Sequence, residues 1–524
     1  MANNIYIGNR YVPIFANPVE WDNLREYEPL TIVTYQGTAY TSRKTVPVGT
    51  ALSNTEYWVV TGNYNAQVEM YRREVDKIKD AYYVLTGIGG IGDGSADNTG
   101  VINTFISKIG NKQCTLIVNP GTFKINGGVV IPSNITLLFT GGAIIINNRA
   151  NLTINSEIIA PLYKIFETNG NLTISVEKNT TGYPEWFGDD LAKAIELFQC
   201  VELQHKDYEI DHDVNITKDN FVLKGYSFST FMNDERHGTR IIENGGRLII
   251  GDISGRVINN FPRNITIENI EIAQLYSTLP VMSVYGVVYG RFKNLTFSCS
   301  GAISEGVHIT KAVSTIFDSC RIQVTNNTGT FFGFNCTDDG NPIAAGGNAS
   351  LYFKYCSVSD TGDTINGRSY GWYLNGNSSD TFLDHCETTT CTIGLSISGA
   401  NKEAGANDIF ITNCIFDSCR ETGVVISAIS VNGAINLDNV YVAKDRVNNT
   451  THSLFHIQNC NATILAKNLQ GIALNENNLG LQLIGDCNGL FDGVFNGMNT
   501  PYTNNGSTTN VKVTYLHDGV LTNV

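Results

Sequence analysis

A pattern repeats between Thr381 and Ser427, and it limits the possible folds more than anything else in the chain. The first copy reads TFLDHCETTTCTIGLSIS (Thr381–Ser398) and the second DIFITNCIFDSCRETGVVIS (Asp408–Ser427). Cys386 and Cys391 return 28 residues later as Cys414 and Cys419, and Gly394 and Ile397 return 29 residues later as Gly423 and Ile426. Periods in the twenties belong to solenoids. Each copy is a set of short alternating runs rich in Ile, Phe, Val and Thr, which read as strands. One such unit cannot cover its own apolar face and must stack on its neighbours. The same signature, apolar–x–apolar–x–(Asn or Asp)–(Cys, Val, Ile or Leu)–x–apolar, reappears at 313–325 and 349–361 and again at 433–445 and 461–474. Alternate side chains then enter a narrow interior, where like residues stack between coils about 4.8 Å apart. No helical periodicity interrupts the chain after Asn264. The expected class is mainly β, a parallel β-helix.

A chain of 524 residues exceeds the roughly 250–300 residues that one compact core supports. A solenoid escapes that limit because its core grows in one dimension. The net charge of −14 counts against nucleic acid or an anionic membrane as partner. The twelve cysteines fall mostly at inward strand positions, with no CxxC and no Cys/His cluster. They are expected to be buried free thiols rather than disulfides or metal ligands, and neither metal nor cofactor is implied. The start MANNIYIGNR does not have the pattern of a signal peptide, and no run of 18 apolar residues occurs. The chain is expected to fold in a cytosol without membrane insertion.

Five segments follow in order. Residues 1–63 read as a small β module. Its frame of Trp21, Tyr27, Val33, Tyr35, Gly37, Tyr40, Pro47 and Trp58 resembles carbohydrate-binding modules of the chitin-binding type. Its aromatics either stack on sugars or, as Trp21 and Trp58, form the core that so small a module needs. Residues 64–91 comprise a neck helix, expected over 64–85, and a Gly-rich linker. Val68, Val75 and Tyr82 occupy heptad position a, and Tyr71, Ile78 and Leu85 occupy d. Three unbroken heptads favour a trimeric coiled-coil neck over a helix packed within one chain. Residues 92–182 open the β-helix: Gly92-Asp93-Gly94 makes a turn, and Asp97 or Asn98 caps an apolar helix. No Lys-Ser/Thr follows the glycines, so they are not a phosphate loop. Residues 183–496 form the main β-helix, with Asp189 and Asp190 capping a second short helix. Residues 497–524 carry two short strands that could close the open end of the solenoid.

Over Gly92–Asn147, the order GDG-x-x-D-x-T, NPGTFKI, IPS and GG resembles the opening of pectate-lyase-like right-handed β-helices. Asn98 stands where a second Asp is common there, and Gly100 where Ala is common. With the phrase PEWFG before the second helix, the succession of adaptor, neck and β-helix resembles bacteriophage tailspikes and pre-neck appendages. That resemblance implies a homotrimeric virion protein of the tail or an appendage, assembled in the host cytoplasm. Residues 1–85 would dock it to other tail or collar proteins. Its β-helix would bind host surface polysaccharide or wall teichoic acid during adsorption. A glycan depolymerase, hydrolase or lyase, is the alternative on the same architecture.

Hydrolysis needs two carboxyl groups about 5–5.5 Å apart for retention or about 6.5–9.5 Å apart for inversion. The richest stretch for such groups is Asn335–Glu387, with Asp338, Asp339, Asp360, Asp363, Asp384 and Glu387 as candidate acids. Arg368, Tyr370, Trp372 and Tyr373 are the candidate glycan contacts, because sugar C–H faces stack on aromatic rings. The plainer alternative is that the acids cap turns and Trp372 packs into the core. His385 has an acid beside it but no nucleophile, so a triad is not expected.

Overall fold

A computed structural model describes residues 19–226, 238–251, 260–274, 278–300, 303–337, 348–361, 367–376, 378–399, 408–427, 433–444, 452–506 and 510–524. Asp338, Asp339 and Asp363 lie outside these residues.

Residues 19–63 form a four-stranded sheet of Val19–Glu20, Ile32–Tyr35, Thr38–Ser42 and Trp58–Asn63. Tyr27, Val33, Val46 and Trp58 make its small core, and Trp21 packs against the outside of that core. Trp58 is therefore a structural residue, as a module with so little apolar surface requires.

Helix α1 spans Tyr64–Ala81. It stops short of the expected Leu85. Tyr82–Val84 is a strand that pairs in parallel with Cys114–Val118, and Leu85 is fully buried in the β-helix core. Pairing with the first coil satisfies the backbone and buries Leu85, which another exposed helical turn could not do. Tyr82 and Leu85 are thus removed from the helical seam. Val68, Tyr71 and Val75 remain on it, 61%, 65% and 45% exposed. The side chain of Ile78 lies outside the described residues.

Helix α2, Thr99–Ile109, covers the opening of the solenoid with Ile102, Phe105 and Ile109 turned inward. Asp97 holds its first turn, accepting from the Thr99 N–H at 2.9 Å and the Thr99 hydroxyl at 2.6 Å. Asn98 has another role. It is buried, accepts from the Ile91 N–H at 2.7 Å, and donates to the carbonyls of Ile91 and Ala96 at 3.1 and 3.0 Å. It ties the Gly-rich loop to the helix start.

From there the chain winds as a parallel β-helix with three faces. In the opening coils, Cys114–Val118 and Ile135–Phe139 lie on the first face. Gly121–Ile125 and Gly142–Ile146 lie on the second, and Gly128–Ile131, Asn151–Ile154 and Asn171–Ile174 on the third. Short helix α3, Leu191–Leu197, interrupts the winding; Asp190 caps it by accepting from the Lys193 N–H at 2.8 Å. Parallel pairing then continues to Asn510–His517, with register shifts after Phe416 and along Ser453–Ile472, and Val520–Asn523 turns back antiparallel.

The corner between the first and second faces explains the repeated signature. A residue in left-handed conformation is followed by one that points inward. The pairs include Asn294–Leu295 (φ 52°), Ser319–Cys320 (56°), Tyr355–Cys356 (54°), His385–Cys386 (54°) and Asn413–Cys414 (54°). Asn and Asp tolerate that conformation best among residues with a Cβ. Four thiols stack here in successive coils. Cys356 and Cys386 each donate across to the coil before, to the carbonyls of Phe317 and Phe353 at 3.4 Å. All twelve cysteines are free, and all but Cys200 are buried.

A second ladder was not visible as such in the sequence. Gly306, Gly333, Gly371, Gly394 and Gly423 take the same place in five consecutive coils, at the start of the third face. A Cβ on Gly371 would sit 2.5 Å from the Gly394 carbonyl oxygen and 2.2 Å from the Thr388 methyl. The narrow interior excludes any side chain there.

Candidate functional site

The bend at these glycines turns the preceding residue outward. Glu305, Phe332 and Tyr370 therefore stack in one outward column, and His308, Asn335 and Tyr373 in the next. The three rings form a cluster. Phe332 and Tyr370 are stacked with centroids 5.0 Å apart, Phe332 and Tyr373 are 4.7 Å apart, and Tyr370 and Tyr373 meet edge to face at 5.5 Å. The Arg368 guanidinium lies 5.6 Å from the Tyr370 ring centre and pairs with Glu421 at 2.8 Å. One coil before Phe332, His308 Nδ1 meets Glu305 at 2.7 Å, and its ring lies 5.4 Å from Tyr285. Burial and the neighbouring Tyr370 push the Tyr373 phenol up, so it stays a neutral hydrogen-bonding group. Half-buried rings, one cation and two carboxylates make a surface that can stack on sugar C–H faces and hydrogen-bond to hydroxyls.

Trp372 does not belong to this surface. It points inward, is fully buried, and stacks on Phe334 at 5.5 Å. With two rings of the YGWY run outward and the third in the core, only Tyr370 and Tyr373 can touch a ligand.

The candidate acids are separated by the fold. Asp360 lies beneath the corner between the second and third faces, where Arg420 Nη2 donates to its carboxylate; both side chains are 6% exposed. Arg420 also donates to the Ser369 hydroxyl at 2.7 Å. That hydroxyl accepts from the Thr392 N–H at 3.0 Å. A carboxylate sealed in this way cannot reach a substrate, so Asp360 is a structural residue. Asp384, His385 and Glu387 sit at the opposite corner, between the first and second faces. Asp384 accepts from His385 Nδ1 at 2.8 Å, Thr412 at 3.1 Å and Asn413 at 3.3 Å. Burial pushes its pKa up, but these hydrogen bonds outweigh burial and hold it below the usual carboxylate value. It acts as a link between coils.

Further along the corner that buries Asp360, Lys444 Nζ donates to Asn478 at 2.7 Å, and burial lowers its pKa to about 8. Burial and then the Lys444 charge hold His452 below its ordinary value. Among the described residues, no group of three or more His, Cys, Asp or Glu is arranged to hold a metal ion.

Sequence reasoning singled out Arg368, Tyr370 and Tyr373, which the fold brings together, and passed over Phe332, Glu305, His308 and Glu421, which lie beside them. One signal could have found the first two of these. EGV, FGF, YGW, IGL and TGV share their glycine, and aligning the coils on it places Glu305, Phe332 and Tyr370 in one column.

No protein-family model matches the chain, and comparison with curated proteins found no relative. Among solved structures, the A-module of a mannuronan C-5 epimerase from Azotobacter vinelandii is 11% identical with a TM-score of 0.32, covering 83% of this chain and 99% of that one. The tailspike protein 3 of bacteriophage CBA120 is 12% identical with a TM-score of 0.21, covering 98% of this chain and 80% of that one. A family 28 exopolygalacturonase from Yersinia enterocolitica is 12% identical with a TM-score of 0.26, covering 98% and 90%. Likenesses of this size leave function to be argued from the chain's own residues.

Proposed function

We propose that the chain is a bacteriophage tailspike or appendage protein that binds a host surface glycan on the third face of its β-helix. The observation that carries the reading is the outward cluster of Phe332, Tyr370 and Tyr373 beside the Arg368–Glu421 pair. The small N-terminal module, helix and β-helix follow one another in the order expected of a virion-docked spike, through residues 1–85. The exposed seam of Val68, Tyr71 and Val75 supports self-association as a trimer, because a lone helix gains nothing from presenting those side chains to water.

Binding is favoured over hydrolysis. Among the described residues of the cluster, the carboxylates are Glu305 and Glu421, whose backbones are separated by four coil steps, about 19 Å at coil spacing. That exceeds the roughly 6.5–9.5 Å of an inverting pair. The test is titration of the full chain with capsule or wall polysaccharide from candidate hosts, alongside the double variant Tyr370→Ala/Tyr373→Ala. Loss of at least about tenfold in affinity, or about 1.4 kcal/mol, is expected. Unchanged affinity in the variant would overturn the assignment of this face. New reducing ends, or absorbance at 235 nm, would identify a hydrolase or a lyase instead.

A further inference from the structure

The first face carries a feature that glycan binding does not use. Ile316, Tyr352, Phe382 and Phe410 lie in direct register in four successive coils, all pointing outward, and Leu465 and Leu490 continue the line beyond Asn436. Ile316, Tyr352 and Leu490 are 38%, 39% and 53% exposed. In the opening coils, Val84, Ile117, Leu138 and Ile159 form a second outward apolar line. It lies on the same face, because the chain visits the faces in constant order: 158–159, then 166–168, then 171–174, then 181–182 on the first again. Corresponding outward positions of the other two faces there are mostly polar, as in Lys124–Ile145–Glu167 and Val130–Thr153–Thr173.

Three observations identify the occupant. The rings of Tyr352, Phe382 and Phe410 are nearly parallel, with centroids 4.6 and 4.8 Å apart and interplanar angles of 3° and 4°. Each face of Phe382 is therefore covered, and little but ring edges points outward, which suits flat protein packing better than sugar stacking. Beside the rings runs a line of alternating charge, Lys293, Asp318, Lys354 and Asp384, which can set the register of an opposing protein surface. Finally, helix α1 with its exposed seam leads directly into Tyr82–Val84, the first strand of this same face. The helix seam thus runs into the apolar line of the opening coils, and the outward column Thr181, Cys200, Val222, Thr266 and Arg291 separates that line from the one that begins at Ile316.

We infer that the first face is the surface along which copies of this chain pack against one another, extending the neck contact down the β-helix. This rests on the trimer reading and adds where the copies meet. The test uses the full chain with Cys200→Ser, which removes the one half-exposed thiol. Into it go Leu490→Cys, or Val130→Cys on the third face as control (54% exposed in the native chain). Bismaleimides of increasing span are then added. Covalent dimers and trimers from Leu490→Cys at shorter spans than from Val130→Cys are expected. Equal or reversed crosslinking, with light scattering still reporting trimers, would overturn the first face as the contact and leave the trimer standing. A monomer by light scattering before any reagent is added would overturn both.

Discussion

Arg420 and Asp360 stand sixty residues apart in sequence and form an ion pair inside the β-helix, with both side chains 6% exposed. Removing one partner strands the other charge in a medium that cannot solvate it. Arg420→Ala or Asp360→Asn should cost roughly 3–5 kcal/mol, whereas replacing both with apolar residues should cost far less. Denaturant unfolding of the two single variants and the double variant checks this. Equal losses in all three would show that the pair is not the source.

The glycine ladder separates two kinds of glycine. Gly371→Ala should prevent folding or lower the unfolding midpoint strongly, because the added Cβ meets the Gly394 carbonyl and the Thr388 methyl. Gly100→Ala lies in helix α2 with nothing within 4 Å of the new Cβ. It should stabilise by about 0.5–1 kcal/mol, since alanine is the better helix former. Thermal melts of both variants give the contrast.

Glu243 is a buried carboxyl that accepts from the Leu248 N–H at 2.8 Å. Burial pushes its pKa up to about 9, against roughly 4.3 in an unfolded chain. Its folded pKa is raised, so its contribution is fully present below about pH 4 and is lost as pH rises towards 9, by at most roughly 1.4 kcal/mol per unit. Glu243→Gln should therefore flatten the fall in stability between pH 5 and 9. Unfolding curves across that range read the difference, and parallel curves for variant and native chain would refute it.

The thiols make a counting test. Cys200 alone is half-exposed, and burial raises the pKa of Cys320, Cys386 and Cys391. An aromatic disulfide reagent at pH 8 should modify one thiol per native chain and all twelve after denaturation. Fast reaction of several thiols in the native chain would contradict the buried ladder.

Because Tyr82–Val84 is a β-helix strand and Leu85 is core, a chain beginning at Tyr82 should retain the β-helix and lose only helix α1 and the N-terminal module. Light scattering should show weaker association than in the full chain. A chain beginning at Gly87 should also be less stable, since it lacks Leu85. Trimers of undiminished strength in the chain beginning at Tyr82 would show that α1 contributes nothing to assembly.

Sequence alone determined the solenoid. Strict alternation and a recurring Cys or branched residue after Asn leave few ways to bury the apolar positions, so the stacked coils are legible in the sequence. Local chemistry also fixed the short helices, through Asp97 and Asp190. Tertiary structure decided the rest, because the distance between coils is not written in sequence spacing. It ended α1 at Ala81, where pairing with Cys114–Val118 outcompeted another helical turn. It sent Trp372 inward and left Tyr370 and Tyr373 outward, because a glycine bend breaks the alternation in that run. It also parted acids that look adjacent on paper, burying Asp360 under Arg420 and setting Asp384 at another corner. In a β-helix, residues close in sequence can lie on different faces, and residues one coil apart can touch.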